Sequence, residues 1–103
     1  MKRTPESDWK HLRSLKGNLL EVVYGRINAG ARQIVSDQNS SQHERFLRLF
    51  DYLDDGNKVV AECFDDWRRS NILEKLFALR RHDLLTDEHL AQLSAETREM
   101  MER

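Results

Sequence analysis

A lone cysteine, a lone proline and four glycines set this 103-residue chain apart from small β-rich, disulfide-stapled or low-complexity proteins. Cys63 has no partner for an internal disulfide, and a zinc site would have to be assembled mostly from scattered histidines and acids. No apolar run approaches the roughly 20 residues that span a bilayer. The basic start, Met1-Lys2-Arg3-Thr4-Pro5, is not followed by an apolar segment, so it lacks the pattern of a secretory signal. The expected location is the cytoplasm, with no membrane partner.

Recognisable chemistry is equally sparse. The serines cluster in caps and in one loop, none of them in a strained strand-to-helix turn. Cys63 lies between apolar and acidic neighbours, which raise a thiol pKa rather than activate it. No glycine-rich phosphate loop is present. His11, His43, His82 and His89 are scattered; Asp8 and His11 form an i, i+3 pair, but the Glu-x-x-His pairs of a di-iron bundle are missing. Counted from Asp51, a calcium loop finds Asp55, Gly56 and Glu62 in register. It fails at the third position, Leu53, and at the eighth, where Lys58 replaces an apolar residue. No catalytic residue, cofactor or metal is expected; an enzyme of this sequence would need residues that converge only in space.

What the chain does have is helix punctuation. Thr4-Pro5-Glu6, Ser41-Gln42-His43-Glu44 and Thr86-Asp87-Glu88 each place a capping residue before acidic first-turn residues. Ser41 with Glu44 has the capping-box spacing. Trp9, Leu12, Leu15 and Leu19 recur at helical spacing, and a wide apolar stripe continues to Ile34, enough to face two neighbours. Lys16-Gly17-Asn18 either interrupts this segment or is tolerated within one long helix, at about 1 kcal/mol against alanine. Residues 36–41 read as a loop, and Phe46, Leu49, Phe50 and Leu53 follow on one helical face.

Gly56 is expected to end that second helix. The β-branched run after it reads as helix or strand; the spacing of Val60, Cys63, Phe64 and Trp67 favours helix. Ser70 or Asn71 is placed to cap a further helix, with Leu73, Leu76 and Phe77 inward and Arg80, Arg81 and His82 at its C-terminal end. Thr86 starts a short helix through Leu93, and Ser94 opens a last one. The expected fold is all-α, a compact bundle of five or six helices forming a single domain over residues 1–103. Its expected core is Leu12, Leu19, Val23, Ile27, Phe46, Phe50, Leu53, Phe64, Trp67, Leu73, Leu76 and Phe77.

Leu85 to Ser94 resembles the opening of a helix-turn-helix, but Ser94 follows Leu90-Ala91 too soon and no glycine marks a turn. The segment after it carries Glu96, Glu99 and Glu102, which phosphates would repel.

Charge is near balance but unevenly spread. Residues 1–35 carry seven Lys/Arg against three Asp/Glu, residues 36–66 three against eight, and residues 67–103 seven of each. A basic front and an acidic middle can attract each other within one globule or mark two surfaces for partners. Asp51, Asp54, Asp55, Asp65 and Asp66 are the candidate docking residues for a basic partner. Arg68, Arg69, Arg80 and Arg81, with Trp67 and Phe77 nearby for stacking, are the candidate phosphate contacts. The function expected first is a non-catalytic protein-interaction module, a regulator, adaptor or inhibitor, with a second copy of the chain among its partners. The alternative is nucleic-acid binding through the arginines.

Overall fold

The computed structural model describes residues 4–102, so the basic start Met1-Lys2-Arg3 and the terminal Arg103 lie outside the described residues. Among the described residues five helices follow in order: α1 (Glu6–Val35), α2 (Gln42–Phe64), α3 (Ile72–Arg81), α4 (Asp87–Ala91) and α5 (Ala95–Glu102). There is no strand among the described residues. The all-α bundle expected from the periodicity is what forms.

α1 is one unbroken helix of 30 residues, about 45 Å long at 1.5 Å per residue. Gly17 is therefore tolerated, and it meets no neighbouring atom within 4 Å. The start is shifted by one position from the expected cap. Pro5 occupies the cap position without a side-chain bond, and Thr4 is buried, its carbonyl accepting from Arg69 Nε at 3.1 Å. Ser41 opens α2 with the capping box its spacing predicts: Ser41 Oγ accepts from Glu44 N at 3.1 Å and Glu44 Oε1 from Ser41 N at 3.2 Å. Thr86 caps α4 in the same manner, with His89 Nδ1 as the reciprocal acceptor at 3.0 Å.

Gly56 does not end α2, which continues to Phe64 and resolves the β-branched run as helix. Packing overrides propensity here. A Cβ at Gly56 would lie 3.0 Å from Ile27 Cδ1, so the missing side chain seats α2 against α1. Gly30 works likewise: a Cβ there would run into the Tyr52 ring, whose hydroxyl donates to Arg26 O at 3.3 Å. Gly25 borders no such neighbour within 4 Å. Gly25→Ala is therefore expected to stabilise the fold by about 0.5–1 kcal/mol through helix propensity alone. Gly30→Ala should gain less or lose, because Tyr52 must swing out. Urea midpoints of the two variants measure the contrast.

α2 ends where Asp65 caps it, and Asp66 takes a left-handed backbone with φ 57°. Asn71 precedes α3 but does not cap it with its side chain. Instead Asn71 Oδ1 accepts from Arg68 N at 2.8 Å and Asn71 Nδ2 donates to Asp66 O at 2.8 Å, closing the turn. α3 stops in a Schellman arrangement: Asp83 at φ 56°, Leu84 N donating to Leu79 O at 2.8 Å and Asp83 N to Arg80 O at 3.1 Å.

α1 and α2 form an antiparallel hairpin, with Ile27 over Gly56 and Arg45 donating to Val35 O near the tip. The core fills only one end of it. Leu12, Leu19 and Val23 of α1 and Cys63 and Phe64 of α2 are buried with Ile72, Leu76, Ala78, Leu79, Leu84, Leu85 and Leu93. No residue of α1 beyond Val23, and none of α2 before Cys63, is fully buried. The result is a head built from α3–α5 and the base of the hairpin, plus a two-helix arm. The overall extents are 52 × 24 × 23 Å.

Four expected core residues are thus exposed: Phe46, Phe50, Leu53 and Phe77. The three on α2 lie on the arm, beyond the reach of α3–α5, and Phe77 sits on the outer side of α3. Ile27, Trp67 and Leu73 pack partly buried at the core's edge.

One polar cluster locks the head. The Asp8 carboxylate, buried on α1, accepts from Ser94 Oγ at 2.6 Å, Ser94 N at 3.0 Å and Thr97 Oγ1 at 2.5 Å. Ser94 Oγ in turn accepts from Thr97 N at 3.3 Å, capping α5.

Candidate interaction surface

Side-chain hydrogen bonds close the tip of the arm. At its tip Asp37 gathers three donors: Ser40 Oγ at 2.9 Å, Asn39 N at 3.0 Å and an Arg48 nitrogen at 3.1 Å. These bonds, that of Ser40 foremost, hold the Asp37 carboxyl below its ordinary pKa. Arg45 reaches back from α2 to Ser40 O and Val35 O, at 3.0 and 3.2 Å, and ties the loop to both helices.

On this arm Phe46, Phe50 and Leu53 are spaced i, i+4, i+7, within about 60° of one another around the helix. Phe46 is 64% exposed and Phe50 65% exposed, values that decide their role, because neither ring has a packing partner that removes it from water. Leu47 beside them is half-exposed. The side of α2 turned to α1 carries Leu49, Gly56 and Val60. Tyr52 and Arg26 mark one flank of the hairpin, where Arg26 donates to His82 O at 3.1 Å and Asp83 O at 2.8 Å and so faces the head. Helical phase puts Phe46, Phe50 and Leu53 on the opposite flank. The same phase places Tyr24, Ala31 and Val35 of α1 there, with Ala31 and Val35 level with them across the hairpin and Tyr24 nearer the head. Tyr24 and Val35 are both exposed.

The expected acidic site is divided by the structure. Asp51, Asp54 and Asp55 are exposed on the continuous body of α2, with Asp54 paired to Lys58 Nζ at 3.2 Å. Asp55 points to the other flank and lines a groove with Val23, Arg26, Ile27, Tyr52, Gly56 and Val59. Asp65 and Asp66 lie past the end of α2, about 16 Å along the axis from Asp54, and Asp66 accepts from Arg68 Nε at 2.9 Å. Among the described residues, no cation of α1 makes an ion pair with an acid of residues 36–66: Arg48, Lys58, Arg68, Arg81 and His82 make those ion pairs. Among the described residues, α1 and the acidic middle are therefore neighbours without ion pairs between them.

The four candidate phosphate-contacting arginines are each engaged. Arg68 bonds Asp66, Arg69 bonds Glu6, Arg80 pairs with Asp87 and Arg81 with Glu62. Glu62 also bonds His82 Nε2 at 3.0 Å, and the His82 and Arg81 bonds lower its pKa. Trp67 donates to Cys63 O at 2.7 Å, stacks on Phe64 with ring centroids 6.1 Å apart, and lies under Lys16 Nζ at 5.2 Å. A nucleic acid would have to displace a carboxylate at each arginine, and it would find Trp67 already stacked.

Neither nucleophile of the head is set up to react. Cys63 is buried, and burial first, then the Glu62 charge, pushes its thiol pKa up. Ser94 Oγ donates to the buried Asp8 carboxylate, which Thr97 Oγ1 and Ser94 N also use, and Thr97 is sealed from solvent. Asp8 serves α5, so the Asp8–His11 pair is spent on structure; sequence spacing held no sign of this, since Ser94 is 86 residues away. Among the described residues, no group of three or more His, Cys, Asp or Glu side chains is placed to hold a metal ion, and no helix is long and apolar enough to cross a membrane.

No protein-family model, no curated protein and no solved structure matches this chain.

Proposed function

We propose that the protein is a cytoplasmic, non-catalytic interaction module that binds a protein partner through the arm of its α1–α2 hairpin. One observation carries the reading. Two phenylalanines and a leucine at helical spacing stand in water on an elongated arm, with Tyr24 and Val35 exposed on the same flank and Asp54 beside Phe50 around the helix. Contiguous apolar surface rimmed by charge marks an interaction site in a soluble protein, and aromatic anchors supply most of the energy at such sites. A regulator or adaptor needs no more than this. Phosphate binding has no comparable support, because its arginines are occupied.

The test places a photo-reactive phenylalanine analogue at position 50 and irradiates cells of the native host with and without nuclease. Protein adducts that survive nuclease and vanish when Phe46 is changed to Asp are the expected result. Absence of protein adducts, or adducts to nucleic acid alone, overturns the reading.

A further inference from the structure

From this interaction reading we infer that the occupant of the hairpin face is an acidic amphipathic helix of a protein partner. Its apolar stripe lies in the groove between α1 and α2, and its carboxylates meet Arg13 and Lys16 at the head end. The inference rests on the reading of the arm as a docking surface and adds the chemistry of what docks.

The face is longer than the arm. Phe64 returns to the helical phase of Phe46 after about five turns, and Trp67 stacks on Phe64. The register that sets Ile27 over Gly56 also sets Lys16 over Trp67. The flank therefore runs from Phe46 at the tip to Lys16 at the head, about 30 Å. Leu20, Tyr24 and Ala31 follow its α1 side by helical phase. The head leaves it open, because Arg26 and Glu62 hold the end of α3 on the opposite flank. An open groove between two helices accepts the ridge of a third, and a helix of about 20 residues spans this length.

Charge selects the occupant. By helical phase α1 carries Glu6, Arg13 and Lys16 on this flank, and α2 carries His43 and Asp54. The two acids are already paired, Glu6 with Arg69 and Asp54 with Lys58. Arg13 and Lys16 have indoles for neighbours instead: Arg13 lies 5.9 Å from the Trp9 ring centroid and Lys16 Nζ 5.2 Å from that of Trp67. Among the described residues neither cation makes an ion pair. An indole face positions a cation without using up its N–H donors, which stay open to a carboxylate. A basic helix would set like charge against both, which is disfavoured across an interface. No lysine or arginine follows on this flank between Lys16 and the tip. The rest of the groove therefore suits an apolar stripe, not a nucleic acid with phosphates along its length.

The test selects displayed peptides on the immobilised full chain. The library holds amphipathic helices of about 20 residues, with the apolar stripe fixed and every other position randomised. Enriched peptides are expected to carry Asp and Glu clustered toward one end. A synthetic copy should bind about ten-fold more weakly to Phe50→Asp, and about ten-fold more weakly to Arg13→Glu with Lys16→Glu. Changing the clustered acids of the peptide to lysine should weaken binding to the wild type. The same change should restore binding to the charge-reversed protein within about three-fold of the original. Circular dichroism checks the fold of each variant. If the double reversal unfolds the chain, Arg13→Gln with Lys16→Gln replaces it, with an expected loss of about five-fold. Enrichment of basic or uncharged peptides overturns the inference, as do acidic peptides indifferent to Arg13 and Lys16. An empty selection overturns it too, and binding of phosphatidylserine vesicles in its place would point to a lipid surface. Peptides that need Phe50 but ignore Arg13 and Lys16 still sustain the docking surface. An empty selection together with no protein adducts at position 50 removes both.

Discussion

Replacing Asp8 with alanine is expected to lower the unfolding free energy by about 2–4 kcal/mol, because it strands buried donors that now share one carboxylate. Ser94 N, Ser94 Oγ and Thr97 Oγ1 all donate to Asp8, and Thr97 is fully buried. For a domain of this size the loss corresponds to a drop in Tm of ~10–25 °C. A scanning calorimetry shift of only a degree or two would mean that water replaces the carboxylate freely.

The same residue sets an acid limb. Burial works to raise the Asp8 pKa, but the bonds from Ser94 and Thr97 outweigh it, so the folded value lies below the ordinary one. A carboxylate depressed in the folded state contributes its full stabilisation above the unfolded pKa, about 3.9. That contribution drains away as pH falls from there through the folded value. Asp37, Glu44 and Glu62 are depressed as well, so the wild-type slope is a sum. Subtracting the urea stability of Asp8→Asn from that of the wild type isolates the Asp8 share. The difference should be largest near neutrality and should shrink below about pH 4.

The second large effect separates the two places where apolar side chains sit. Leu76→Ala should cost about 2–5 kcal/mol, because Leu76 is fully buried and its loss leaves a cavity. Phe50→Ala, a larger truncation, should change the stability of the monomer by less than about 0.5 kcal/mol. Urea titrations at low protein concentration make the comparison. Comparable losses at both positions would place Phe50 in a core, contrary to its exposure.

That contrast also shows what the sequence could reveal. Helix identity is a local property, set by caps and 3.6-residue periodicity within a turn or two. Ser41 with Glu44, Thr86 and the stripes of α1 and α2 therefore announced an all-helical chain, and the composition argued against disulfides and membrane spans. Gly17 and Gly56 misled or stayed ambiguous because a glycine's cost is local while its benefit is a neighbour. Gly56 belongs inside α2 only because Ile27 comes down on it.

The location of the core was beyond local information. Phe46, Phe50 and Leu53 have the periodicity of a buried face, and periodicity reports that a face is apolar, not what covers it. The deciding facts are lengths and returns. α1 runs 30 residues and α2 23, while α3–α5 are short and turn back onto one end of that hairpin. Asp8 meeting Ser94, and the five candidate aspartates falling at separate places along and beyond α2, follow from the same folding-back. Sequence alone determined that the chain is helical and where α2, α4 and α5 begin. Tertiary structure decided which apolar residues are core and which stand exposed, because burial depends on contacts between residues far apart in the chain.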